Sequence, residues 1–355
     1  MQSENLTFAN EIINDQNTWL VIKILMFGIT PAISIFGVVG NVLSIIVLTK
    51  HGMSKCSNIL LVTLAFCDIT FLISFNSVPK IIYEAVWNHE YVGYSKSVCD
   101  LLFVLFTFFT VLDYGIGIMS LSLPMLITAE RIVVIFFPFH SGRILTPKRT
   151  WIIIVGMTIH WLSVSVYLSF WQDMDFRYDP IRNTSLGLIK RSALIYENPP
   201  FIAAFQEVII YSSICVPPIV TLTGCIAISV QLKIASIKRK KITSSIRSTS
   251  RTTKTLLAVC AVYCLSATLL TMPMYIPAEY ASYSLTDDEP SNVGRLFYQL
   301  MNTVSCINSS YNFIVYVGVN KQFRGTLRKV LHGYWERLQP PSDLSAKHFS
   351  KAKSI

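Results

Sequence analysis

Charged side chains are scarce in this sequence. Only 14% of the 355 residues are Asp, Glu, Lys or Arg, while 52% are hydrophobic and the mean hydropathy is +0.50. A soluble domain carries about a quarter charged residues, so a water-exposed globule fits poorly. Cysteine is missing from the whole of segment 172–204, which rules out a disulfide anchoring that segment. There is no Gly-rich phosphate loop, no nucleophile set beside a base, and no His/Cys spacing of a metal centre. His160 is the only histidine inside an apolar block. Catalytic residues and an obligatory cofactor are therefore not expected, and the chain does not read as an enzyme. Internal repeats are absent as well, which argues against a transporter or channel built from inverted halves around a polar pore. The first twenty residues lack an apolar core and a small-residue cleavage site. They read as an extracellular tail and not as a signal peptide, leaving the first apolar block to act as its own insertion signal.

The apolar residues lie in seven long blocks, at about 21–49, 58–82, 101–137, 151–171, 205–232, 256–278 and 296–319. A membrane-crossing helix needs roughly 20 largely apolar residues, because the lipid core offers backbone groups no water. The expected fold is an all-α membrane protein: a seven-transmembrane helix bundle over 21–319, preceded by the tail 1–20. Beyond it, Phe323, Leu327, Val330 and Leu331 recur on one helical face with basic flanks. That pattern predicts a short amphipathic helix along the inner membrane surface over 320–333, and a cytoplasmic tail over 334–355. No cysteine follows it to carry a palmitoyl anchor.

The net charge of +10 is distributed unevenly. Segments 50–57, 130–150, 233–254 and 320–355 hold 22 of the 30 basic residues and only three acids, Glu130, Glu336 and Asp343. The alternate segments hold 14 acids, among them Asp287, Asp288 and Glu289. Basic short loops stay on the cytoplasmic side. The N-terminus is thus expected outside and the C-terminus inside a cell membrane crossed seven times. The basic clusters Lys238–Lys241 and Arg324, Arg328 and Lys329 then suit anionic lipid headgroups and an acidic partner surface, not nucleic acid. Two glycosylation sequons, at Asn5 and Asn183, fall on the outer side; a third, at Asn308, lies inside the last block. The run Thr243–Ser250 reads as a solvated linker or as a site of phosphorylation.

Polar groups inside the blocks are costly and by default functional. Asp68 stands in the second block, Asp113 in the third, Asn41 in the first, and Asn308, Ser309, Ser310, Asn312 and Tyr316 in the last. With Gly40-Asn41, Leu64-Ala65 before Asp68, Glu130-Arg131, Pro138, Trp161, Pro273 and Asn312-Phe313-Ile314-Val315-Tyr316 in this order, the chain resembles rhodopsin-like (class A) G-protein-coupled receptors over about 25–330. The resemblance implies an extracellular ligand and a heterotrimeric G protein as partners. It implies a switch in which Arg131, paired with Glu130 at rest, is released while Asn312 and Tyr316 rearrange. It also implies an allosteric sodium ion held by Asp68, Ser120, Asn308, Ser309 and Asn312; the alternative is a water-filled polar cluster with no ion. Asp113, eighteen residues before Arg131, stands where amine receptors keep a carboxylate for a ligand ammonium. It is the ligand-pocket candidate, although Thr303 and Cys306 replace the aromatic partners expected there. Its alternative is a hydrogen bond to neighbouring Ser or Tyr groups.

Several positions depart from the family pattern. No cysteine in 172–204 can pair with Cys99, the Cys-Trp-X-Pro of span six is replaced by Leu270-Thr271-Met272-Pro273, and Pro124 interrupts span three. Phe313 and Ile132 stand where Pro and Tyr are common. The stretches Thr128–Arg131, Leu145–Thr150 and Ile307–Phe313 resemble molluscan chemosensory receptors, while the Asn-Phe pair also occurs in peptide-receptor branches. A small chemosensory compound is the first ligand expectation, a neuropeptide the second and an amine the third.

Overall fold

A computed structural model describes residues 14–87, 96–180, 184–240, 248–271 and 291–338. The sequons at Asn5 and Asn183, Pro273, the acidic cluster 287–289 and most of the Ser/Thr run lie outside them. The two ends of the bundle are called outer and inner in the sense that the charge pattern assigns.

Five helices have the length and apolarity to cross a membrane: Asp15–Lys50, Cys56–Ile82, Lys96–Phe136, Pro147–Ser169 and Pro199–Ala235. Span six is described as Ser248–Thr271, with its apolar stretch at Leu257–Thr271. Span seven runs Asn292–Ser310 and, past Tyr311, Asn312–Val319. It is too polar to qualify on hydropathy, and its polar residues face inward: Gln299, Thr303, Asn308, Ser309 and Asn312 are all buried. The bundle is apolar outside and polar within, the arrangement a lipid solvent selects. Ile152 is 70% and Leu265 68% exposed, while Asp68 and Asn41 are fully buried.

The first helix begins at Asp15, inside the expected tail 1–20. Asn14 caps it by accepting from the Gln16 backbone N–H, and Asp15 places an acid in the first turn, both favourable at a helix start. Spans one and five each contain a wide π-turn, Ile24–Ile29 and Tyr211–Cys215. Each lies just ahead of a proline, Pro31 or Pro217-Pro218. A proline ring removes one ladder bond and displaces the carbonyl a turn earlier, and a π-turn absorbs that displacement. Pro124 likewise leaves the Ser120 carbonyl without its ladder donor in the middle of span three, while its own carbonyl accepts from the Thr128 hydroxyl at 2.8 Å.

Glycines set the distance between spans one and seven. A Cβ on Gly40 would lie 2.9 Å from the Phe313 Cβ, and one on Gly37 would collide with Ser310 and Leu72. The Ser310 hydroxyl reaches the Ile33 carbonyl at 3.2 Å across this seam. Span three is the central element, touching spans two, four, five and six. Its Met119, Leu123 and Ile127 join Ile59, Leu64, Trp161 and Val259 in one apolar core.

Segment 172–204 contains an antiparallel hairpin that the helical reading did not anticipate. Strand β1, Gln172–Asp179, pairs with β2, Thr184–Arg191, in a register running from Gln172↔Arg191 to Asp179↔Thr184. Noncovalent contacts hold the hairpin base. Trp171 is buried with Ile195 and Ile202 against Tyr167 and Phe205, and the Trp171 carbonyl accepts from the Ser192 N–H at 2.9 Å. Lys96, at the start of span three, lies 5.3 Å from the Phe176 ring centroid.

The inner-surface helix spans Lys321–Leu338, longer than the expected 320–333, because Tyr334, Trp335 and Leu338 continue the apolar period past Gly333. Asn320 caps it through the N–H groups of Gln322 and Phe323. Arg324 turns back to donate to the Val317 and Gly318 carbonyls at 2.7 Å, and Phe323 packs on Tyr316 with ring centroids 5.5 Å apart. His51, after span one, is 2.8 Å from the Thr326 hydroxyl.

Two outcomes are expected. Gly40→Val should destabilise the solubilised protein by about 1–3 kcal/mol through overpacking. Gly156→Val, where nothing lies within 4 Å, should leave thermal unfolding unchanged. Burial, and secondarily Lys55, holds the His51 imidazole below its ordinary 6.5. The folded state thus favours neutral His51; its contribution is full above pH 6.5 and is lost as pH falls through the lowered value. Hydrogen-exchange protection around Thr326 should therefore fall on acidification, and His51→Gln should abolish that response.

Candidate functional site

The deepest polar cluster joins spans one, two, three and seven. Ser120 donates to one Asp68 oxygen at 2.5 Å and the Asn312 side-chain amide to the other at 2.8 Å. The Asn41 amide donates to the Ser309 carbonyl at 2.7 Å. Helical spacing brings Asn308, Ser309 and Asn312 to the same turn of span seven. All five residues expected around a cation are gathered here, Asn308 lining one cavity with Ser120 and Ser309. The Asn308 and Asn312 side-chain oxygens are buried with no donor among the described residues. Unpartnered oxygens beside a carboxylate are the donor set that a hard cation such as sodium prefers.

At the inner end, Arg131 Nε lies 2.9 Å from Glu130 Oε2. Both side chains are buried, yet neither atom makes an aligned hydrogen bond among the described residues. The pair is held by charge and proximity, so Arg131 retains its directional bonding capacity. Arg131 lines a cleft between spans three, five and six with Thr128, Cys225, Leu257 and Cys260. Thr128 bridges spans three and six, 3.4 Å from the Cys260 sulfur. Tyr316 is 2% exposed and its hydroxyl has no hydrogen-bond partner among the described residues. Tyr311, which the sequence reading passed over, donates its hydroxyl to the Val259 carbonyl at 3.1 Å and ties span seven to span six. A phenol between Ser310 and Asn312, inside an otherwise apolar block, was its sequence signal.

The sequence left Asp113 either to a ligand ammonium or to neighbouring Ser or Tyr groups. Its partner is Lys80, which forms an ion pair with it from the outer end of span two. Lys80 was missed: as a lysine near the end of block 58–82 it reads as an interfacial anchor. A turn at Asn76-Ser77 separates Cys56–Phe75 from Val78–Trp87 and lets Lys80 reach inward. Its ammonium stands 5.0 Å from the Phe75 ring centroid and 5.9 Å from that of Tyr114. The protein thus supplies its own cation to the carboxylate for which an amine ligand would have to compete. Thr303 bonds Thr30 at 2.9 Å and Cys306 is fully buried, so no aromatic cage for a ligand ammonium forms at those positions. Between this pair and the Asp68 cluster lies a cavity of about 160 Å³, lined by Phe71, Phe75, Tyr298, Asn302 and Ser305 among others.

Residues 40–316 match the family described as 7 transmembrane receptor (rhodopsin family). Similar proteins include an FMRFamide receptor of Drosophila melanogaster, 23% identical over 82% of this chain and 51% of the relative. The chain spans about half the length of that receptor. Neurotensin receptor type 2 is 24% identical in Mus musculus and 25% in Rattus norvegicus, each over 87% of this chain and 82% of the relative. A match over most of the chain, on a bundle whose polar residues converge as described, makes this a multi-pass membrane protein of the rhodopsin family of seven-transmembrane receptors, and not an enzyme.

Proposed function

We propose that the chain carries an extracellular peptide signal to a heterotrimeric G protein, with its N-terminus outside the cell membrane and its basic loops against cytoplasmic lipid and the partner. The observation that carries the inward half is the buried Glu130–Arg131 pair, in contact but without an aligned hydrogen bond. A guanidinium presents a fork of donors that can pass from one acceptor to another, and the opening of the cleft that admits the partner also lets water reach the Glu130 left behind. When spans five and six part from span three, the cleft beside Arg131 opens and the guanidinium meets the partner. Tyr316, buried with a hydroxyl unpartnered among the described residues, gains a hydrogen bond by moving into the same space. Two packings of one bundle, biased by ligand, suffice for such a switch.

A peptide ligand is supported by the similar receptors, which are named for peptides. The 14 acids of the outer segments favour a basic peptide by long-range attraction. A small chemosensory compound is the second reading, favoured by the modest cavity of about 160 Å³. The Asp68 cluster is proposed to hold sodium, with Asp68 and Ser120 as ligands and Asn308, Ser309 and Asn312 completing the shell. A bound cation neutralises the carboxylate and keeps spans two, three and seven together.

Expression with promiscuous G proteins and a calcium readout tests the inward half. Basal or ligand-driven signalling should vanish in Arg131→Ala at normal surface expression, whereas Glu130→Gln should raise basal signalling. Persistence of signalling in Arg131→Ala would refute the switch. For the cation, replacing sodium by N-methylglucamine should lower thermal stability, by up to about 2.7 kcal/mol if sodium stands a hundredfold above its Kd. Asp68→Asn should remove that dependence; equal stability of the wild type in both salts would refute the site.

A further inference from the structure

We propose that the group of the ligand entering the central cavity is amphoteric, carrying a carboxylate that takes Lys80 and an ammonium or guanidinium that takes Asp113. The inference rests on the receptor reading and names the chemistry recognised by its binding site.

The Lys80–Asp113 pair is almost dry, with side-chain exposures of 14% and 8%. Separating it is costly in a particular way. A purely cationic ligand that captured Asp113 would strand the Lys80 ammonium, and a purely anionic one would strand the Asp113 carboxylate. Leaving either charge buried and unpaired is strongly unfavourable. A group bearing both charges replaces each partner and strands neither. The surroundings are suited to that exchange. Phe75 and Tyr114 flank the ammonium and also line the cavity, so Lys80 keeps its ring contacts while its carboxylate partner changes. Asp113 lines the cavity together with Asn302 and Ser305.

Size bounds the group further. The cavity, at about 160 Å³, compares with the roughly 150 Å³ that accommodates benzene in a protein core. A group about the size of a benzene ring fits inside it, and the rest of a larger ligand must lie outside. The occupant is therefore a free amino acid, or one end of a peptide that carries both charges, such as a C-terminal lysine or arginine. The second source agrees with a basic peptide; both share one chemistry.

The test uses the full-length receptor in cells with the calcium readout. The probes are free L-amino acids, including lysine, arginine and glutamate, and short peptides ending in lysine or arginine. Each is compared with forms stripped of one kind of charge: every carboxylate amidated, or every amine acetylated with citrulline standing in for arginine. Activation is expected from at least one zwitterionic probe. Its singly charged forms should be roughly 100-fold weaker or worse, the consequence of stranding one buried charge. Free amino acids acting alone would point to the small-molecule source, and C-terminal peptides acting alone to the peptide source. Lys80→Met and Asp113→Asn should each lose the response. Should either fail to reach the surface, the exchanged pair Lys80→Asp with Asp113→Lys keeps both charges and should still prefer zwitterions to blocked forms. Equal potency of blocked and unblocked probes, or no response to any probe at normal surface expression, would overturn the inference. Basal signalling, abolished in parallel by Arg131→Ala, reports separately whether the receptor reading stands.

Discussion

A carboxylate in the middle of a membrane-spanning bundle must be matched by its neighbours, because lipid offers it nothing. Asp68 meets this constraint with donors from two other spans, Ser120 and Asn312, while Asn41 reaches the adjacent Ser309 carbonyl from a fourth helix. Much of the remaining architecture follows from keeping these groups within reach. Gly37 and Gly40 bring span one against span seven, and the break at Tyr311 adjoins Asn312, which points at the carboxylate. Because apolar contact between helices gains little over contact with lipid, hydrogen bonds and close packing carry a larger share of cohesion than in a soluble bundle.

The two ion pairs on span three divide the labour around this hub. Lys80–Asp113, on the outer side, joins residues of different helices and borders a cavity. Glu130–Arg131, on the inner side, joins chain neighbours and borders a cleft between three spans. Span three runs continuously between them as Lys96–Phe136, with Pro124 in its middle. A change of partner at Asp113 can therefore bias the packing at Arg131 through one continuous element and the Asp68 cluster beside it. The absence of a tryptophan before Pro273 removes one large pivot, and the Tyr311 hydrogen bond to Val259 offers a different link between spans six and seven.

Much of this was legible in the sequence where chemistry and position coincide. Asp68, Asn312 and Arg131 stood out because polar groups in apolar blocks are expensive, and their order across the spans carried the family resemblance. Lys80 was hidden because a lysine near a block edge normally snorkels to the interface, and only the turn at Asn76-Ser77 sends it inward. The hairpin was hidden behind the expectation of a helical protein, although Met174, Phe176 and Tyr178 alternate with polar residues at the strand period. The early helix start depended on a cap at Asn14, a short-range signal outweighed by the polarity of the residues that follow.

The hub itself is tested most directly by a double-mutant cycle on Asp68 and Asn312, read from thermal or denaturant unfolding of the solubilised protein. Asp68→Ala, Asn312→Ala and the double variant should show a coupling of about 1.5–3 kcal/mol, the worth of a buried hydrogen bond to a charged group. Additivity of the two substitutions within about 0.5 kcal/mol would show that the carboxylate does not hold the spans together and would contradict the account.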